Sequence, residues 1–108
     1  MKRKSIPNRG RGALPPEHLP AEAAAWWKAV NDEFDLDDSH SQWLLLVAAE
    51  SFGRLRDAQH IVKKDGLTIT SPGGVVSAHP MLRVERETRS QLLQALRHLC
   101  LDATVGPR

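Results

Sequence analysis

At 108 residues the chain holds one small domain, which buries little surface compared with a domain of ~150 residues, so help from partner subunits is expected. Its longest apolar run, Trp43 to Ala49, falls far short of the ~20 residues of a membrane span, and its single cysteine excludes an internal disulfide and a sulfur framework for zinc. The net charge of +2 is uneven: residues 1–12 carry five cations and no acid, which leaves −3 for the rest.

Those cations are Lys2, Arg3, Lys4, Arg9 and Arg11. With Pro, Gly and Asn between them and little apolar surface to bury, the segment reads as a disordered basic arm, and no apolar run follows to make it a signal peptide. Cations without acidic neighbours attract phosphate, so the arm is the first candidate for DNA contact. A proline-rich linker, "ALPPEHLP", follows. The expected organisation is an arm and linker over 1–18, a helical oligomerisation domain over 19–102 and a flexible tail over 103–108.

Pro20 suits the first turn of a helix running to about Phe34, with Ala23, Trp26, Trp27, Val30 and Phe34 on one face. The acidic stretch "NDEFDLDD" ends it; lacking the alternating ligands and glycine of a calcium loop, it reads as a solvated linker. Ser39 and Gln42 have capping-box spacing, which predicts a second helix from about Ser41 to Lys64. Its main stripe is Leu44, Ala48, Phe52, Leu55, Ala58 and Val62, with a flank of Trp43, Val47 and Ile61. Its first half is apolar nearly all round, so Trp43, Leu46 and Val47 are assigned to contact between subunits. Arg56, His60 and Lys63, spaced i, i+4, i+7, form a cationic ridge, of which Arg56 and Lys63 are candidate DNA contacts.

Gly66 reads as a C-terminal cap, and "LTITSPGGVVSA" as a β-hairpin that needs a helix or a neighbouring subunit to pack on. Pro80 opens a third helix with one stripe of Met81, Val84, Leu92, Leu96 and Leu99 and a second of Leu82, Leu93 and Cys100. Two stripes imply two partners, so Leu82 and Leu93 join the expected interface. The pairs Arg83/Glu87 and Glu85/Arg89 at i,i+4 read as a solvated face, with DNA or partner contact as the alternative, and Cys100 reads as a small buried hydrophobe. The fold expected is mainly α: about three helices, a short hairpin between the second and third, and the arm.

No chemistry of turnover stands out. The sequence has no G-x-x-x-x-G-K-[ST] loop, its five histidines lack zinc-site spacing, and no nucleophile is paired with a base; no catalytic residue, metal or cofactor is expected. A helix-turn-helix reader fails because the second helix opens on "SQWLLLVAAE", apolar and preceded by acids that phosphate would repel.

The chain resembles the small subunit of phage terminase over about residues 10–108, through "GRGALPPEHLPAEAAAWW", the long helix ending "AQHIVKKDGLTIT", the glycine hairpin and "AHPMLRVERETRSQLLQALRHLCLD". The resemblance implies a non-enzymatic packaging factor in the host bacterial cytoplasm. Such a factor assembles as a ring, recognises double-stranded viral DNA and regulates a large subunit that carries the ATPase and nuclease. The end departs from the family pattern of Leu-Gly-Leu, Thr-Pro and a final Arg, with Cys100 at the glycine and the proline displaced to Pro107. The alternatives are a small dimeric DNA-binding regulator and a minimal nuclease built on His79 and the acids near Asp37.

Overall fold

The computed structural model describes residues 14–99; the cations Lys2, Arg3, Lys4, Arg9 and Arg11, Cys100 and the 103–108 tail lie outside the described residues. The order is α1 (Ala21–Glu33), α2 (Ser39–Asp65), β1 (Thr68–Thr70), β2 (Val76–Ala78) and α3 (Met81–His98), three helices with a hairpin between the second and third.

Pro20 sits one position earlier than the sequence places it, at the N-cap of α1 with φ −60° and ψ 161°. Its carbonyl accepts the Ala24 N–H at 2.8 Å and starts the helix, a position at which its own missing N–H costs nothing. Ala23 and Trp27 are buried, and Trp26, Val30 and Phe34 pack half-buried on the same cluster, so the whole predicted face is used.

The acidic connection 34–38 is more than a solvated linker. Leu36 is only 1% exposed and joins Leu19, Trp27, Leu45 and Leu99 in the core. Gln42 holds the corner by donating from Nε2 to the Leu36 carbonyl at 2.6 Å and to Asn31 Oδ1 at 2.8 Å. That use of Gln42 explains a second difference from the sequence reading. The cap of α2 is Asp38, whose Oδ2 accepts the Ser41 N–H at 2.9 Å, and not a Ser39/Gln42 box. A carboxylate at this end also favours the helix dipole.

At 27 residues α2 is ~40 Å long and supports both other helices. Toward α1 it presents Leu45, Ala49 and Gly53; a Cβ at Gly53 would stand 3.3 Å from Ala23 Cβ and 3.4 Å from Pro20 Cγ, so the absent side chain lets α1 approach. Toward α3 it presents Ala48 and Leu55, which pack on Leu92 and Ala95. Trp26 and Phe52 stack at 5.4 Å between ring centres and bridge the two clusters. Two partners on two sides bury Leu45 in place of the predicted Leu44, which is half-buried. On α3, Thr88 fills the gap between Val84 and Leu92; it is buried because its hydroxyl donates to the Val84 carbonyl at 2.7 Å.

Gly66 ends α2 as expected, with φ +91° and its N–H on the Val62 carbonyl at 2.7 Å. The hairpin is antiparallel, pairing Thr68 with Ala78, Ile69 with Ser77 and Thr70 with Val76, and Gly74 at φ +86° closes its turn. Every strand residue is exposed, so the packing on a helix that the sequence offers as one option is not seen. His79, 8% exposed, ties three elements together. Its backbone N–H donates to the Leu67 carbonyl at 2.8 Å, Nδ1 accepts the Met81 N–H at 3.0 Å, and Nε2 lies 3.0 Å from Asp65 Oδ2. Accepting at Nδ1 places the ring proton on Nε2, which donates to the Asp65 carboxylate.

Ser41 is fully buried, and its Oγ finds no hydrogen-bond partner among the described residues. Ser41→Ala keeps the backbone N–H that Asp38 caps and removes the unsatisfied hydroxyl, so it is expected to raise stability by about 1 kcal/mol. Urea unfolding with an unchanged m-value is the check.

Candidate nucleic-acid and assembly surfaces

The cationic ridge of α2 forms, and α1 reaches across to it. Glu22, in the first turn of α1, accepts from Arg56 Nε at 3.2 Å through one oxygen, and its other oxygen lies 3.0 Å from His60 Nε2. Arg56 Nη1 also donates to Gln59 Oε1 at 2.5 Å. The hydrogen bond with His60, with Arg56 beside it, holds the Glu22 carboxyl below the usual carboxylate range. One ridge cation thus shares its charge with an acid, while Lys63 is exposed in the last turn of α2. Glu22 and Arg56 are 34 positions apart, and no local pattern announces their contact.

The proposed assembly residues do not lie on one surface. Trp43 is 62% exposed and Val47 half-buried, on the outward side of α2 with Glu50 and Arg54. Val47 lines a groove of ≈400 Å³ between α2 and α3, whose other walls include Leu44, Gln91 and His98. Leu46 packs half-buried against the core on the α1 side. Leu82 is half-buried at the start of α3, and Leu93, 50% exposed, stands among arginines on the outer face of that helix. That face keeps the expected i,i+4 pairs, Arg83 with Glu87 at 3.6 Å and Arg89 with Glu85 at 3.1 Å. It also carries Arg86, Arg89 and Arg97 along one shallow depression, where the sequence reading prefers a solvated surface to DNA or partner contact. The spacing i, i+3, i+11 is the signal in the sequence that points to it.

The nuclease arrangement does not form. His79 sits beside Asp65 at the C-terminal end of α2, and Asp37 lies just before its N-terminal end, so the helix separates them by ~40 Å. Among the described residues no three His, Cys, Asp or Glu side chains gather as metal ligands, and no helix is long and apolar enough to cross a membrane.

Set against known protein families, residues 23–104 match the one described as phage terminase, small subunit. The chain belongs to that family. No curated protein and no solved structure matches it significantly. The region shared with other terminase small subunits begins inside α1 and takes in both helix packings, the hairpin and the whole of α3. The five arm cations precede it.

The lowered Glu22 value sets the sign of a pH effect. A carboxyl depressed in the folded state contributes stability that is present above its unfolded value, ~4.3, and is lost as pH falls through the folded one. Glu22 is half-exposed, so the effect is small and screened by salt. In low salt, the melting temperature of the wild type is therefore expected to fall more steeply below about pH 4.3 than that of Glu22→Gln. Parallel melting curves of the two proteins across that range would remove the tether.

Proposed function

We propose that this terminase small subunit is a non-catalytic DNA-recognition factor that assembles as a closed homo-oligomer and regulates a large subunit carrying the ATPase and nuclease. It acts on double-stranded viral DNA in the host bacterial cytoplasm. Family membership over residues 23–104 carries the reading. What supports assembly is the exposed indole of Trp43 beside the α2–α3 groove, with Val47 in its wall: an outward surface of one helix pair that a neighbouring subunit can cover. Leu46, half-buried on the α1 side, and Leu82, half-buried at the start of α3, are assigned to further contacts between subunits away from that surface.

DNA contact is assigned first to the arm, whose Lys2, Arg3, Lys4, Arg9 and Arg11 have no acid among them. Lys63 adds to it from α2, and Arg56 does so once phosphate competes with Glu22 for its guanidinium. Regulation of the large subunit uses protein contact alone, since the small subunit is assigned no ATP site or metal centre.

Two experiments test this. Native mass spectrometry should give a closed oligomer larger than a dimer, and Trp43→Asp should weaken assembly tenfold or more while leaving far-UV helicity intact; a dimer on a palindromic site would instead favour a transcriptional regulator. Deletion of residues 1–12 should lower duplex affinity and flatten the slope of log K against log salt by ~0.9 for each phosphate that the arm neutralises, with the fold unchanged. An unchanged slope would take the arm out of the DNA site.

A further inference from the structure

We infer that the outer face of α3 is a second polyanion site of this protein, one that grips the phosphate backbone of duplex DNA through Arg86, Arg89 and Arg97. The inference rests on the DNA-binding reading above and assigns it a place on the folded body. These arginines share one stripe with Ser90, Leu93 and Gln94, at i, i+3, i+4, i+7, i+8 and i+11, and together the six line a depression of ≈250 Å³. At 100° per residue the stripe lies well round the helix from the buried Thr88, Leu92 and Ala95, so it faces away from α2.

The chemistry of the lining is one-sided. Three guanidiniums, a hydroxyl and an amide can all donate hydrogen bonds, and no carboxylate is among the six. Glu85, just outside, accepts from Arg89 Nη2 at 3.1 Å, one of the five N–H donors of that guanidinium. On the α2 ridge one carboxylate, Glu22, faces both Arg56 and His60 through its two oxygens, whereas Glu85 takes one N–H of Arg89. From Arg86 to Arg97 the stripe rises ~16 Å, the axial length of about five nucleotides of one strand. Leu93, in the middle, is half-exposed and suited to a sugar or a thymine methyl between phosphate contacts.

A second copy docking face to face is disfavoured by the same charges, because it would bring the two sets of arginines together. The α2 groove adjoins this face and shares Gln94 with it, but the three arginines line the outer depression and not the groove, so assembly through the groove leaves the guanidiniums available to DNA.

The test uses the full chain and a labelled 30-base-pair duplex of arbitrary sequence, titrated by fluorescence anisotropy between 50 and 300 mM salt. R86Q/R89Q/R97Q should bind at least tenfold more weakly at the low-salt end, with a log K against log salt slope shallower by about 2–3 per engaged subunit, at ~0.9 per phosphate. Its oligomer mass and helicity should equal those of the wild type. R86K/R89K/R97K, which keeps the charge, should recover most of the slope. If the wild type binds and R86Q/R89Q/R97Q keeps its affinity and slope, the α3 site is wrong while the DNA reading stands. If the wild type binds no duplex, the DNA reading itself falls and this site with it. A triple glutamine variant that loses its oligomer mass, or a wild type whose duplex binding is unaffected by saturating poly-glutamate that binds the same arginines, would assign the face to protein contact instead.

Discussion

The packing of α1 and α3 on two different sides of one long helix constrains everything else in this chain. Neither short helix could bury its apolar side without α2, and α2 offers small residues where each must come close: Gly53 under Ala23 and Pro20, and Ala48 against Leu92 and Ala95. Small side chains at the contact let backbones approach, and the bulky groups fill the space beside them. Trp26 and Phe52 stack where the two packings meet, so a change at either ring is felt on both sides of α2.

The two ends of α2 are joined to their neighbours by different means. At the N-terminal end the connection is covalently short and held by Leu36 in the core, Gln42 across the corner and Asp38 as cap. At the C-terminal end the chain leaves through Gly66, makes an exposed hairpin and returns, and His79 closes the excursion by joining Leu67, Asp65 and Met81. A short polar residue could cap α3, and an apolar one could fill the space, but a neutral imidazole accepts at one nitrogen and donates at the other. The His79-Pro80 pair thus owes its place to the architecture of the turn. The exposed strands of the hairpin bury no side chain against the helices, so its own backbone pairing and the positive-φ turn at Gly74 carry its shape, with His79 anchoring its base.

Charge divides the surface into regions with different uses. The α1–α2 corner is acidic, the α2 ridge is compensated by Glu22, and the outer face of α3 gathers arginines in a stripe flanked by Glu85 and Glu87. In the DNA-binding role proposed above, such a division would keep a polyanion away from the corner and orient it toward α3. The exposed Trp43 on α2 is a third region, distinct from the arginines of α3, and in the proposed role it would serve the neighbouring subunit while the arginines serve DNA.

By itself, the sequence determined the element order, the hairpin, the helix-ending role of Gly66 and the family, because each is written in local signals: periodicities, a positive-φ glycine, and motifs in a recognisable order. It also showed both i,i+4 pairs of α3, since that spacing alone brings the side chains together. Tertiary structure decided what depends on which side of a helix meets a partner. Leu45 is buried and Leu44 only half so; Leu36 is core although acids surround it; Gln42 is drawn from its own helix end to the corner; Glu22 crosses to Arg56. The surface roles divide in the same way. Leu82 and Leu93 share a stripe on a helical wheel, yet only the packed chain shows that Leu93 stands among arginines that face away from α2. A wheel gives the angle between residues on one helix, and only the contact with a second helix says which angle is inside.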